Sequence, residues 1–455
     1  MSFAALRPHL KPTISLAYPV VLSQLGHVLV NVCDSVMVGQ TGKVPLAAVS
    51  LGVSVNTMVM VMGMGLSMAI TPLVAAADGQ RNVRQLGRLL GSGVWLCIVA
   101  GLVLGATGLL IAPLLKYLGQ PAEVVALAAP WIRVIFLSLL PLMVFQGFRQ
   151  FAEGLGLTRQ AMYLSIMANV VNAGLCYMLI FGNFGAPQMG MMGSAWATVA
   201  ARILMALLMG AYVLRAARLQ PYRAAVPSWF RPDWSTLRRL VGLGTPIGVQ
   251  MMFEMGAFSF SAIMIGWLGA TSLAAHQIAI NVASVTYMAA SGIAAAATIR
   301  VGNLRGLNDA FGARQAGLAA YLLAFLFMAT MGLLLVAARF YIPHFYNHDP
   351  AVVAQAATLL LIAAAFQISD GLQVVGLGAL RGLEDVKVPS VVALLAYWVV
   401  ALPLGYTLGF VFEMGNVGVW LGLLLGLTLV AGMLLWRFRQ HSAVASTPAA
   451  VLAGS

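Results

Sequence analysis

Acidic residues are scarce in this chain. Twelve Asp and Glu stand among 455 residues, against 25 Lys and Arg, so only 8% of the sequence is charged. A soluble domain carries roughly a quarter of its residues charged, and this chain falls far below that. Cysteine is rare as well: Cys33, Cys97 and Cys176 sit in apolar runs, with no CxxC and no histidine at ligand spacing. Neither a disulfide framework nor a cysteine-ligated metal is expected, and packed thiols are. The chain also lacks the phosphate loop G-x-x-x-x-G-K-[ST], the H-E-x-x-H motif and the nucleophile elbow. Without a nucleotide site, any pumping must draw on an ion gradient; without a nucleophile and base at motif spacing, an enzyme is not expected. The net charge of +13 has no basic stripe with interleaved aromatics behind it, so no nucleic-acid partner is expected.

What the chain has in abundance is apolar sequence. It is 61% hydrophobic with a mean hydropathy of +0.94, which marks an all-α polytopic membrane protein embedded in a lipid bilayer. Windows of membrane-spanning length, cut at Gly, Pro and charge clusters, predict twelve transmembrane helices: 14–38, 46–77, 87–113, 123–149, 159–183, 190–216, 240–266, 272–302, 313–341, 350–379, 388–411 and 415–437. The first follows Arg7, His9 and Lys11 without a small-residue cleavage site, and reads as a retained helix. Lys and Arg concentrate in alternate connectors. Arg7, Lys11, Arg81, Arg84, Arg88, Arg149, Arg159, the run Arg215–Arg239, Arg300, Arg305, Arg314, Arg381, Lys387, Arg437 and Arg439 fall on one side, and Lys43, Lys116 and Arg339 on the other. Both termini are therefore expected in the cytoplasm. Arg133 and Arg202 remain inside spans.

The stretch Thr245–Gly269 repeats a pattern from the amino terminus. With Pro246 aligned on Pro19, an offset of 227, the identities Gly39/Gly266, Gly42/Gly269, Leu46-Ala47-Ala48/Leu273-Ala274-Ala275, Gly65/Gly292, Thr71/Thr298 and Gly79/Gly306 follow without a gap. Six spans precede the connector, so the two six-helix lobes form a parallel pseudo-two-fold repeat. The expected organisation is an amino-terminal lobe over 1–216, a cytoplasmic linker over 217–239 containing Pro221, Pro227 and Pro232, a carboxy-terminal lobe over 240–437, and a disordered tail over 438–455.

Of the twelve acids, Asp34, Glu254 and Asp370 lie within spans. A charge in hydrocarbon is costly, so such acids mark a functional site by default. Gln24, His27, Asn31 and Asp34 share one helical face, as do Gln250, Glu254 and Ser261. Gln367, Asp370 and Gln373 cover a broader arc, and Gln277, Asn281, Ser284 and Ser291 line the eighth span beside His276. Two readings stay open for these polar groups: interhelical hydrogen bonding, or the lining of a cavity. Neighbouring carboxylates in a poorly solvated bundle can hold H⁺, Na⁺ or an organic cation, and competition among these is the basis of an antiporter. The 25 Met and 20 Phe suit adaptable binding of bulky apolar cations, and equally suit packing. Trp131, Trp229, Trp267 and Trp436, near span ends, are expected as interfacial anchors.

Taken in order, Pro19, Asp34-Ser-Val-Met-Val-Gly39 and Leu46-Ala47-Ala48, then Phe253-Glu254, Gly266 and Leu273-Ala274-Ala275, then Gln367-Ile-Ser-Asp370 and Leu380-Arg381-Gly382 resemble the multidrug and toxic compound extrusion (MATE) transporters of the bacterial NorM-like type. The resemblance covers nearly the whole chain. It implies two six-helix lobes in a V, in a bacterial inner membrane, and export of lipophilic cationic small molecules in exchange for Na⁺ or H⁺, with no other cofactor and no obligate protein partner. It would make Asp34 an amino-lobe coupling acid and Glu254 with Asp370 the carboxy-lobe cation site, able to hold Na⁺. Asn172 matches a family asparagine, with Thr198 a possible partner. Cys176 stands where many relatives carry aspartate, and Phe366 where some carry a tyrosine. The expected function is a secondary active multidrug efflux antiporter working by alternating access. A lipid-linked oligosaccharide flippase of similar architecture, using Arg133 and Arg202, is the alternative.

Overall fold

In a bilayer the backbone has no water to bond to, so a spanning segment closes its hydrogen bonds within itself. The structure, a computed structural model, describes residues 3–117, 119–224 and 231–444. Pro227, Trp229 and the tail from residue 445 lie outside the described residues. Among the described residues there is no strand, and twelve helices are long and apolar enough to cross a membrane. They are α1 (Ala5–Gly39), α2 (Lys43–Gly79), α3 (Val83–Tyr117), α4 (Ala122–Gly154), α5 (Thr158–Phe181), α6 (Met191–Arg215), α7 (Trp234–Trp267), α8 (Ala270–Gly306), α9 (Ala310–Ala338), α10 (Pro350–Gly382), α11 (Lys387–Val411) and α12 (Gly415–Ala443).

Most helix ends lie a few residues from the sequence expectation, and at two of them a tertiary bond accompanies an extended helix. At the start of α1, Arg300 Nη1 donates to the carbonyl of His9 at 2.9 Å, and Thr13 Oγ1 donates to the same oxygen at 2.8 Å. At the other end, residues 438–444 are helical and not a disordered tail. Arg437 grips Asp385 through Nε and Nη2 at 2.6 and 3.1 Å, and Phe438 is fully buried.

The chain divides into two compact units: Met1–Val21 with Val249–Ser455, and Leu22–Gly248. The divisions fall inside α1 and α7, not in the connector at 217–239. Apolar burial explains this: Ala17 belongs to the core that contains Phe366, Tyr397 and Trp420, while Leu240 belongs to the core that contains Phe145 and Phe151.

The repeat seen in sequence is carried by backbone detail in each unit. Gly42 and Gly269 precede α2 and α8 with φ of 133° and 110°. Arg81 and Asn308 both adopt left-handed backbone. The residue after each caps the next helix: Asn82 Oδ1 accepts from Gln85 N at 3.0 Å, and Asp309 Oδ1 from Gly312 N at 2.8 Å. Thr71 Oγ1 donates to Gln150 O at 3.1 Å, and Thr298 Oγ1 to Gly378 O at 2.7 Å. Gly65 and Gly292 sit at close helix approaches. A Cβ on Gly65 would lie 2.2 Å from Gly248 Cα, and one on Gly292 would lie 2.4 Å from Val21 Cγ2. Small residues at such points let helix backbones pack where lipid supplies no hydrophobic drive. The same device joins α11 to α12, where a Cβ on Gly422 would lie 2.3 Å from Gly405 N.

Two stability predictions follow from this packing. Gly65→Ala must displace backbone and should cost about 1–3 kcal/mol. It will lower the temperature at which the detergent-solubilised protein loses monodispersity, whereas Gly242→Ala, with open space around its Cβ, will not. Ahead of α7, Asp233 Oδ2 accepts from Ser235 Oγ and Thr236 Oγ1, each at 2.6 Å, and from Thr236 N at 3.0 Å. The Ser235 bond, then those from Thr236, hold the Asp233 carboxyl down at about 2. Because the folded value is depressed, this stabilisation is complete above the ordinary carboxylate range and is lost as pH falls through about 2. Asp233→Ala should cost about 1 kcal/mol at pH 7, and its deficit relative to the unsubstituted protein in thermal melts should shrink as the pH is taken down.

Candidate functional site

Helix α7 is apolar around Glu254, and its only nearby same-face polar neighbour is one turn earlier. Gln250 Nε2 donates to Glu254 Oε2 at 2.6 Å, the i,i+4 pairing of a regular helix. Three groups from other helices complete the setting. Gln373 of α10 donates Nε2 to Glu254 Oε1 at 3.1 Å. Tyr397 of α11 places its hydroxyl 3.1 Å from Glu254 Oε1 and 3.0 Å from Gln373 Oε1. Arg381, in the last turn of α10, donates Nη2 to Gln250 Oε1 at 3.2 Å. Asp370, one turn before Gln373, is 6% exposed and within electrostatic reach of Glu254. Tyr287 of α8 feels both carboxylates and Arg381.

Two carboxylates and one guanidinium leave one net negative charge when both acids are ionised. A single proton or monovalent cation cancels it. Removing Arg381 would leave two carboxylates without a countercharge, which costs about 3–5 kcal/mol. Among the described residues no group of three or more His, Cys, Asp and Glu could hold a metal ion. A bound Na⁺ here would have to draw on neutral oxygens beside the two carboxylates.

In the other unit, Asp34 of α1 is half-buried and its Oδ1 is buried without a hydrogen-bond partner. The Cys176 thiol lies against it and sits 4.0 Å from Asn172 Oδ1. His27 and Asn31 are exposed along the same face of α1, and Gln24 is half-buried. Thr198 Oγ1 donates back to Ser194 O at 2.9 Å, one turn earlier on its own helix.

Other polar residues resolve into internal bonds. Gln367 is buried, accepts from Thr286 Oγ1 at 3.0 Å and donates to Met328 O at 3.2 Å, so it joins three helices. Gln277 and Asn281 are exposed and bonded to one another at 3.2 Å. Ser284 and Ser291 bond back to carbonyls of α8. His276 accepts at Nδ1 from Trp420 Nε1 at 3.1 Å.

The structure corrects several expectations. Trp131 is no interfacial anchor: it is buried and donates Nε1 to Ser194 Oγ at 3.1 Å. Trp267 and Trp436 are exposed. Cys97 and Cys176 are packed, but Cys33 is exposed. Arg381, which reads in the sequence as a connector charge, is buried at the carboxylate cluster because α10 continues to Gly382. Its position after an apolar run, before Gly382, was the available signal. Tyr397 had none.

With this geometry in hand, comparison by sequence is decisive. The MatE family profile matches residues 19–178 and 246–407, one stretch in each half. The chain belongs to the MatE family. MatE proteins are membrane transporters and not enzymes. This chain is 34% identical over 448 residues to the probable multidrug resistance protein NorM of Rhizobium meliloti (strain 1021), covering 97% of this chain and 96% of that one. To the protein of the same name from Rhodopseudomonas palustris it is 38% identical over 443 residues, covering 96% and 93%. The MatE fold is seen again in the eukaryotic MATE transporter AtDTX14, with a TM-score of 0.86, 21% identity and coverage of 97% and 99%. An outward-facing multidrug resistance MATE transporter of the MOP superfamily superimposes with a TM-score of 0.88 at 19% identity, covering 96% of each chain.

Within this MatE chain, Gln367 acts as an interhelical tie. Gln367→Leu should destabilise the protein by about 1–2 kcal/mol while leaving the counter-ion dependence of transport per folded molecule unchanged, measured by thermal unfolding and vesicle efflux in parallel.

Proposed function

We propose that this protein is a secondary active multidrug efflux antiporter that exports hydrophobic organic cations in exchange for Na⁺ or H⁺ by alternating access. The observation that carries the reading is the cluster of Glu254, Asp370 and Arg381, one negative charge in excess, held by Gln250, Gln373 and Tyr397. Such a cluster accepts one positive charge at a time, so a counter-ion and an organic cation compete for it. The absence of a nucleotide motif and the multidrug resistance names of the relatives support the same reading.

In this cycle Glu254 and Asp370 bind the counter-ion, which cancels the charge that attracts the organic cation and releases it. Asp34, with an unbonded carboxylate oxygen, serves as a second coupling acid in the other unit. Gln24, His27 and Asn31 line the substrate path on the Asp34 face of α1, with Asn172 and Thr198 beside them; Gln250, Gln277 and Asn281 do so in the unit of Glu254. The protein resides in a bacterial plasma membrane with both termini cytoplasmic. A flippase for pyrophosphate-linked sugars has less behind it. Arg202 is buried against Ser138 Oγ at 2.5 Å, while Arg133 is exposed.

The test is efflux of a fluorescent lipophilic cation from vesicles carrying the purified protein, with an imposed Na⁺ gradient in one arm and a pH gradient in the other. Counter-ion-dependent efflux in either arm is expected. Glu254→Gln and Asp370→Asn should each reduce it about tenfold or more, equivalent to at least ~1.4 kcal/mol of lost coupling. If both variants express normally and pump at the wild-type rate, the reading fails.

A further inference from the structure

The two oxygens of Glu254 keep different company. Oε2 meets Gln250 Nε2. Arg381 donates to the other end of that amide, Gln250 Oε1. A guanidinium has donors and no acceptor, so the amide cannot reverse: its oxygen must face Arg381 and its nitrogen must face the carboxylate. Within this network Oε2 is therefore offered a donor and nothing that could accept a proton from it.

Oε1 is placed otherwise. It lies 3.1 Å from Gln373 Nε2 and 3.1 Å from the Tyr397 hydroxyl, which is also 3.0 Å from Gln373 Oε1. A phenol has one hydrogen and cannot donate to both acceptors at once, but its oxygen can accept. When Glu254 is ionised, the Tyr397 hydrogen turns to the carboxylate. When Oε1 carries a proton, that O–H donates to Tyr397 and the Tyr397 hydrogen turns to Gln373. Every contact is then satisfied.

We propose that Glu254 takes up its exchangeable proton on Oε1, and that Tyr397 is the positioning residue that registers it by turning its hydroxyl from Glu254 to Gln373. This rests on Glu254 being a coupling acid. A hydronium ion gives up the proton and becomes water as one O–H bond forms on Glu254; Tyr397 keeps its own proton throughout. The backbone favours such a role. Tyr397 lies in a π-helical turn of α11, Ala396–Ala401, a form found mostly as single turns and often at functional sites. The next residue, Trp398, donates Nε1 to Phe253 O at 3.0 Å, so consecutive residues of α11 hold the side chain and the backbone at Glu254. The titratable and charged groups around Glu254 are Asp370 and Arg381 of α10, Tyr287 of α8 and Tyr397 itself. Of these, Tyr397 alone both donates to and can accept from Oε1.

The experiment uses the purified full chain, with two readouts on the unsubstituted protein, Tyr397→Phe and Glu254→Gln. Difference infrared spectra across a pH series locate the protonated carboxyl band that vanishes in Glu254→Gln. In Tyr397→Phe that band should change frequency, because its hydrogen-bond partner is gone. The pH midpoint of vesicle efflux should also move to higher pH by about one unit, because the bond Tyr397 gives the ionised carboxylate is worth more than the one it accepts from the protonated form. An unmoved band together with an unmoved midpoint in a folded, transporting Tyr397→Phe protein overturns the inference. The coupling reading stands or falls separately: it fails if Glu254→Gln keeps the wild-type efflux profile, whereas the infrared band reports on Tyr397 without any transport.

Discussion

A carboxylate half-buried in a helix bundle needs its charge compensated largely by the protein, and that requirement organises the unit that holds Glu254. The compensation is indirect. Arg381 reaches the carboxylate through the amide of Gln250, while Gln373 and Tyr397 cover the other oxygen. One acid on α7 thereby ties together α10 and α11, and the electrostatic reach extends to Tyr287 on α8. A direct buried ion pair would hold the charge more tightly than a guanidinium one amide away.

The two units carry the same backbone plan with different chemistry placed on it. Their turns, caps and close glycine contacts correspond, down to the threonine that donates to a carbonyl in each. The intramembrane acids do not correspond. At the offset of the repeat, Glu254 aligns with His27 and Asp34 with Ser261. Packing constraints act on both copies alike, because helices in lipid can approach closely only at small residues. The acids answer to a separate constraint, since a charge in the membrane is costly and has to be compensated where it stands.

Much of this was legible along the chain. Hydropathy located all twelve helices, since a span needs its apolar length whatever it packs against. The costs that make acids rare in spans picked out Asp34, Glu254 and Asp370. Helical spacing placed Gln250 on the face of Glu254, and the bond between them follows that spacing. The helical extensions through His9 and through Phe438 were not legible, because they are accompanied by bonds from Arg300 and to Asp385. Nor was the opposite character of Gln367 and Gln373. Both lie on α10 near Asp370, yet one ties helices through Thr286 and the other bonds Glu254.

The sequence by itself determined the helices, the repeat and the three intramembrane acids, for these depend on local length, composition and periodicity. Only the tertiary structure decided the company those acids keep. Arg381 lies 131 residues from Gln250, and Tyr397 lies 143 residues from Glu254. Periodicity assigns a residue to a face of its own helix and is silent on which helix meets that face. The choice of Oε1 over Oε2 as the proton's seat comes from the direction in which a single amide is locked, which exists only once α7, α10 and α11 are packed together.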